Sequence, residues 1–160
     1  EGKVDLPSAE LFRADFTYAT GIVKTPVLAS DDWVEGDAGQ GAQVSRILAG
    51  LRAEGDVVAG LMPMIVKELL RTATLARVQA NGGNLAAEMK SQGIWEAKQA
   101  PFKRALQRHP EAKRWERFVA EAGLVDRIAK GRADGDAWLA LERLLVAVAE
   151  PRAVRLLARA

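Results

Sequence analysis

Apolar residues along the chain recur at intervals of three, four and seven, and no β-branched stretch alternates in twos. The clearest signal is the stretch from Ile94 to Glu150, which predicts three helices. Ile94–Arg108 places Trp95, Phe102 and Leu106 on one side; Glu111–Lys130 does so with Trp115, Phe118, Val119, Ala122, Val125 and Ile128. Asp136–Glu150 aligns Trp138, Leu141, Leu145 and Val148. Such spacing keeps each apolar set within about 100° of one helix face, so each helix has one side to bury. Pro110 separates the first pair and Gly131 with Gly135 the second. Three one-sided helices joined by short breaks predict a helical bundle.

Upstream, Val44, Ile47, Leu48 and Leu51 form another stripe from Gln40 that stops at Gly55, a residue suited to the left-handed end of a helix. Asp56 is the expected cap of a helix running toward Gln79, with Leu61, Ile65, Leu69, Thr72 and Ala76 on one face. Pro63 lies inside it, where a kink rather than a break is expected because the period continues. Asn81-Gly82-Gly83 ends this helix, Asn84 caps a short one with Leu85 and Met89, and Gly93 closes that one. After Pro151, Val154, Leu156 and Leu157 predict a last short helix. The class is all-α, and no repeat at a fixed period of about 30–45 residues points to a solenoid.

Residues 1–40 follow no such period. Leu11, Phe12 and Phe16 can serve a short helix beginning near Pro7-Ser8-Ala9-Glu10, after which Gly21, Pro26, Gly36 and Gly39 break the pattern. This part is strongly acidic, with eight acidic and three basic side chains against thirteen and twenty in residues 41–160. The expected organisation is an acidic junction over 1–40 followed by a helical domain over 41–160. A mildly basic helical body suits either solvated helix faces or an acidic partner such as nucleic acid, and its interleaved charges favour the former.

Composition narrows the chemistry. With 160 residues, 49% hydrophobic and 28% charged, the chain is long enough for one real core. It has no cysteine, which removes disulfides and thiolate metal sites and fits a reducing compartment. No apolar run reaches the roughly 20 residues that span a bilayer, and no basic-then-apolar leader opens the sequence, so a cytoplasmic location is expected. The chain opens on Glu1 rather than Met, as expected of a processed product or of a segment cut from something longer.

The single histidine, His109, sits at a predicted helix end, where a structural role beside the helix dipole outweighs a catalytic one. Gly21-Ile22-Val23-Lys24-Thr25 lacks the second glycine of a phosphate loop, and Asp31-Asp32 lies in a turn-rich acidic stretch. No catalytic residue, metal site or cofactor is expected. The basic cluster of Lys98, Lys103, Arg104, Arg108, Lys113 and Arg114, interleaved with Trp95, Phe102 and Trp115, is the best candidate for contact with DNA. Its aromatic positions, however, are those the helical period sends inward.

Residues from about 46 to 157 resemble the C-terminal domain of the bacterial DNA polymerase III delta subunit, part of the clamp loader. The resemblance lies in Arg46-Ile47-Leu48-Ala49-Gly50-Leu51-Arg52-Ala53-Glu54-Gly55, in Lys67-Glu68-Leu69-Leu70-Arg71, and in Gly93-Ile94-Trp95 followed by Lys98, Phe102, Ala105 and Leu106. It continues through Asp126-Arg127-Ile128-Ala129-Lys130-Gly131 and Ala137-Trp138-Leu139-Ala140-Leu141-Glu142-Arg143-Leu144. Glu1-Gly2-Lys3-Val4 resembles the end of the family's lid domain, whereas residues 11–40 depart from the family pattern.

The resemblance implies a compact bundle of the collar type, which packs beside its counterparts in the gamma or tau and delta-prime subunits. It implies a part of the DNA polymerase III holoenzyme, a DNA-directed DNA polymerase, without catalysis in this chain. The sliding clamp and DNA would be reached only through the complete subunit or complex, and no membrane is involved. The surplus apolar residues Leu139, Leu144, Val146 and Ala147, with Leu124 and Met64, are the expected outward set for subunit contact. The alternative is an independent DNA-binding module that uses Lys103, Arg104, Arg108, Lys113 and Arg114.

Overall fold

The computed structural model describes residues 37–157; the expectations for the acidic junction, its short helix and the Lys24 segment lie outside the described residues. Six α-helices and two 3-10 segments make up the described part, which contains no strand. The helices are α1 (Asp37–Ala53), α2 (Val58–Ala80), α3 (Leu85–Ser91), α4 (Gln99–Arg108), α5 (Ala112–Ala129) and α6 (Ala137–Ala149). A short 3-10 turn, Glu96–Lys98, leads into α4, and a longer one, Pro151–Leu157, follows α6. The all-α class is therefore the observed one.

Four of these helices end in the same way. After α1, α2, α3 and α5 the chain closes with a bond from the second residue beyond the cap to a carbonyl in the last turn. In α2 these bonds are Gly83 N–H to Val78 O, 2.9 Å, and Gly82 N–H to Gln79 O, 3.1 Å. This closure satisfies carbonyls that a helix end leaves orphaned, and it requires a residue at positive φ. Gly82 has φ +70°. Gly83 adds a second constraint, because a Cβ there would lie 2.9 Å from Val78 Cγ1.

Starts are less uniform. Asn84 and Asp136 cap α3 and α6, accepting from Ala87 N–H at 3.0 Å and Leu139 N–H at 3.2 Å. Asp56 does not cap α2. The N-cap is Val57, which makes no side-chain cap bond, because Asp56 falls one residue too early. Pro63 does not break α2; its ring sits on the exposed side, where water can reach the carbonyl left without an N–H partner.

The core is built on α2, which packs most extensively against α5, while α6 is covered by α1, α5 and the final 3-10 segment. Met62, Ile65, Leu69 and Leu75 of α2 are fully buried, as are Trp115 and Phe118 of α5 and Leu141, Leu144 and Leu145 of α6. The small α3 is tied to α2 by Arg71, whose Nη2 donates to the Gln92 carbonyl at 2.6 Å while Nη1 pairs with Glu68 at 3.3 Å. After α6, Pro151 forces Glu150 into extended backbone (φ −128°, ψ 115°), and the 3-10 turn begins. Its three-residue period sends Val154 and Leu157 inward together and leaves Leu156 outside, 44% exposed.

The three tryptophans among the described residues part company. Trp115 is fully buried and Trp138 packs half-buried against the core, but Trp95 is 64% exposed. The helix expected from Ile94 does not start there. Gly93 turns at φ +74°, and Trp95 follows in extended backbone (φ −72°, ψ 158°) before the 3-10 turn. Successive residues of extended chain point to opposite sides, so burying Ile94 puts Trp95 outside and off the Phe102–Leu106 stripe. Trp115→Ala is expected to cost about 3–5 kcal/mol of stability. Trp95→Ala should stay within about 0.5 kcal/mol, and urea unfolding of the two variants checks the contrast.

Candidate docking surface

Of the thirteen residues of α6, Glu142 and Arg143 are the charged ones, and they mark its outer stripe. Leu139 lies three and four residues before them and Val146 four and three after, so these side chains share a face. Leu139 is 43% exposed and Val146 half-buried. Leu144 and Ala147, expected to face outward, are fully buried in the chain's own core. The correction is geometric: α6 has neighbours on several sides, so its second apolar line packs within the bundle. Leu124 stands half-buried on α5, and Met64 packs half-buried against the core.

Leu139 is the ridge between two shallow grooves. One, of about 450 Å³, runs between α5, α6 and the final 3-10 segment and is lined by Leu124, Ile128, Leu139 and Leu156, with Glu121, Asp134 and Arg143 at its edges. The other, of about 510 Å³, runs between α1 and α6 and includes Leu48, Arg52, Trp138, Leu139 and Glu142. Asp136 borders both, where its carboxylate caps α6. Gly135 forms part of the first groove at φ +138°, and a Cβ there would approach Ile128 Cδ1 to 3.3 Å. Two of the expected interface residues, Leu139 and Leu124, thus meet in one groove, together with Leu156. The sequence signal for the outer stripe is the adjacent charged pair Glu142-Arg143.

The basic residues gather elsewhere, at the corner where α4 gives way to α5. Lys103, Arg104 and Lys113 are exposed, while Arg108 and Arg114 are half-buried. Burial, with the charge of Arg104 beside it, holds Arg108 below its usual value. The first turn of α5 contains no acid and carries Lys113 and Arg114 against the positive end of its helix dipole. Arg108 and Arg114 stand close to one buried point, His109, and Arg104 lies beside Arg108.

His109 is held inside the core. Its ring is 2% exposed, edge-on to Trp115 (centroids 5.6 Å) and Phe118 (5.0 Å). Nε2 lies 3.0 Å from the Val148 carbonyl. A carbonyl only accepts, so Nε2 carries the proton and donates, satisfying one of the carbonyls left open at the end of α6. Trp115 Nε1–H in turn donates to the His109 carbonyl at 2.8 Å. Among the described residues, no group of three or more histidines and carboxylates converges as a metal site, and no helix is long and apolar enough to cross a membrane. No family model, curated protein or solved structure matches this chain.

Loss of water around the ring is the main reason that the His109 pKa is pushed down from 6.5 to about 4. The charges of Arg114 and Arg108 add to the effect, and the bond to Val148 opposes it. The unfolded chain therefore takes up a proton at this residue well before the folded chain does. Its contribution to stability is complete above about pH 6.5 and declines as the pH falls toward 4. Between pH 6.5 and 5, above the main carboxylate range, urea midpoints should fall with pH. His109→Gln, which keeps a donor for Val148, should flatten that slope.

Proposed function

We propose that this chain is a subunit-assembly domain, the collar part of a clamp-loader delta subunit that helps to place the sliding clamp on DNA during bacterial replication. Supporting this reading is the ridge formed by Leu139, exposed between two grooves and flanked by Leu124 and Leu156. A collar domain must bury one apolar surface in its own core and offer another to its neighbours. The segments that resemble the family fall on the end of α1, the middle of α2, the Trp95 turn with α4, and the α5–α6 pair.

In this role the chain contributes binding area, not chemistry. Its partners are the collar domains of gamma or tau and delta-prime, and the clamp and DNA are engaged by the assembled complex in the bacterial cytoplasm. Leu139 is the central anchor, with Leu124, Val146 and Leu156 around it. Leu144 and Ala147 act only through the core. A stable interface of this type buries roughly 2,000 Å² or more across both partners, so the grooves would be only its centre.

Mixed at micromolar concentration with gamma (or tau) and delta-prime collar domains, the chain is expected to co-elute with them in size-exclusion chromatography. Leu139→Asp combined with Leu156→Asp should abolish co-elution while leaving helical content and unfolding midpoint close to those of the parent. Failure of the unaltered chain to co-elute, or co-elution untouched by the double substitution, would count decisively against the reading.

A further inference from the structure

We infer that the basic corner between α4 and α5 is covered in cis by this chain's own acidic segment, residues 1–36. The inference does not rest on the collar reading, and it uses a different face from the Leu139 ridge.

The corner gathers charges that repel one another. From Lys103 to Arg117 there are six basic and two acidic side chains. Arg104 and Arg108 stand four residues apart on α4, and Lys113 and Arg117 do so on α5. Like charges at that spacing share one helix face and destabilise the helix. Burial, together with the charge of Arg104, already holds Arg108 below its usual value. Lys103, Arg104, Lys113 and Arg117 are exposed. The ion pairs Arg71–Glu68 and Lys130–Asp126 lie elsewhere, and among the described residues none closes on these four cations. A surface of this kind is stabilised by an anion of matching extent.

The sequence contains one. Residues 1–36 hold seven acidic and three basic side chains, so their excess of four negative charges equals the excess of four positive charges at the corner. From Thr25 to Gly36 the acids Asp31, Asp32 and Glu35 have no basic residue among them. Leu11, Phe12 and Phe16 stand close to Glu10 and Asp15, and can lie on the aliphatic stems of lysines and arginines whose heads meet the carboxylates.

Reach does not limit the contact. Even coiled at random, a chain of 36 residues spans about 30–35 Å, comparable with the roughly 35 Å diameter of a compact domain of about 120 residues. Tethering also gives the segment an effective concentration in the millimolar range. A free acidic partner at micromolar concentration therefore displaces it only by binding about a thousandfold more tightly. Individual exposed ion pairs are weak, so the cover is shallow, reversible and sensitive to salt.

The Leu139 grooves are poorer hosts for this segment. Carboxylates outnumber cations in both: Glu121, Asp134 and Asp136 against Arg143 in the first, Asp136 and Glu142 against Arg52 in the second. The acidic segment thus screens the basic corner from weakly binding anions and leaves the ridge open.

The test is paramagnetic relaxation in the whole chain, which has no cysteine of its own. A nitroxide is attached at Ser8→Cys in one sample and at Ser30→Cys in another, and backbone amide signals are compared with the label oxidised and reduced. At low salt, one label or both should strip most of the intensity from Lys103, Arg104 and Lys113 while the Leu139 amide keeps its own. That intensity should return at about 0.5 M salt, where the Debye length is only about 4 Å. Lys103→Glu with Lys113→Glu should abolish the effect. Asp5→Asn, Glu10→Gln, Asp15→Asn, Asp31→Asn, Asp32→Asn and Glu35→Gln made together should abolish it equally.

Circular dichroism and urea midpoints confirm that these substitutions leave the helical fold intact. Corner signals that survive both labels, losses that ignore salt or either set of substitutions, or losses centred on Leu139 would overturn the inference. So would losses that appear when the nitroxide sits on one molecule and the isotope on another, which would mark contact with a second copy. No collar partner is present in this experiment, so its failure leaves the docking reading untouched.

Discussion

A helix with almost nothing polar on it has to be covered nearly all the way round, and α6 imposes that demand on the fold. Glu142 and Arg143 leave it one narrow solvent stripe. The rest is met by α1 on one flank, α5 on another and the 3-10 segment that folds back after Pro151. Those neighbours suffice for Leu141, Leu144, Leu145, Ala147 and Val148, which are all buried. They do not reach Leu139 at the start of the helix. Burying a leucine side chain is worth about 1.5–3 kcal/mol, so an uncovered leucine at the meeting point of two grooves is where a further surface gains most by docking.

The opposite end of α6 is secured by polar chemistry placed inside the core. His109 donates its ring proton to the Val148 carbonyl, and Trp115 donates to the His109 carbonyl. The corner between α4 and α5 is thereby locked to the C-terminal end of α6. Edge-on packing of His109 on Trp115 and Phe118, themselves 5.4 Å apart and nearly perpendicular, fills the space around these bonds. A neutral imidazole suits this position because it provides a donor without a buried charge. Two arginines nearby, Arg114 and Arg108, make the charged form still less favourable, so the basic corner and the neutral ring are consistent with each other.

Much of the architecture was legible in the sequence because helix period and glycine position are local properties. The stripes through Val44–Leu51, Leu61–Ala76 and Trp115–Val125 appear as buried faces, and Gly55, Gly82, Gly93 and Gly131 close their helices. What was not legible depended on neighbours or on a break in the period. Trp95 falls outside because Gly93 hands the chain to extended backbone before α4 begins. Asp56 misses the cap position by one residue. Leu144 and Ala147 carry apolar side chains like Leu139, and it is the packing of α6 within the bundle, beyond the charged pair Glu142-Arg143, that buries them. His109 could be placed at a helix end from sequence, yet the carbonyl it satisfies belongs to a helix 39 residues away.

That division of α6 into a packed inside and an uncovered outside can be read directly by thiol chemistry, since the chain contains no cysteine of its own. Single Leu139→Cys and Leu144→Cys variants, pulsed with a thiol reagent, report the two faces separately. The account predicts that Leu139→Cys reacts readily in the isolated chain and becomes protected when gamma (or tau) and delta-prime collar domains are added. It predicts that Leu144→Cys reacts only after unfolding, with or without them. A thiol at position 139 that is shielded in the isolated chain, or that stays equally reactive when the partners are present, would contradict it.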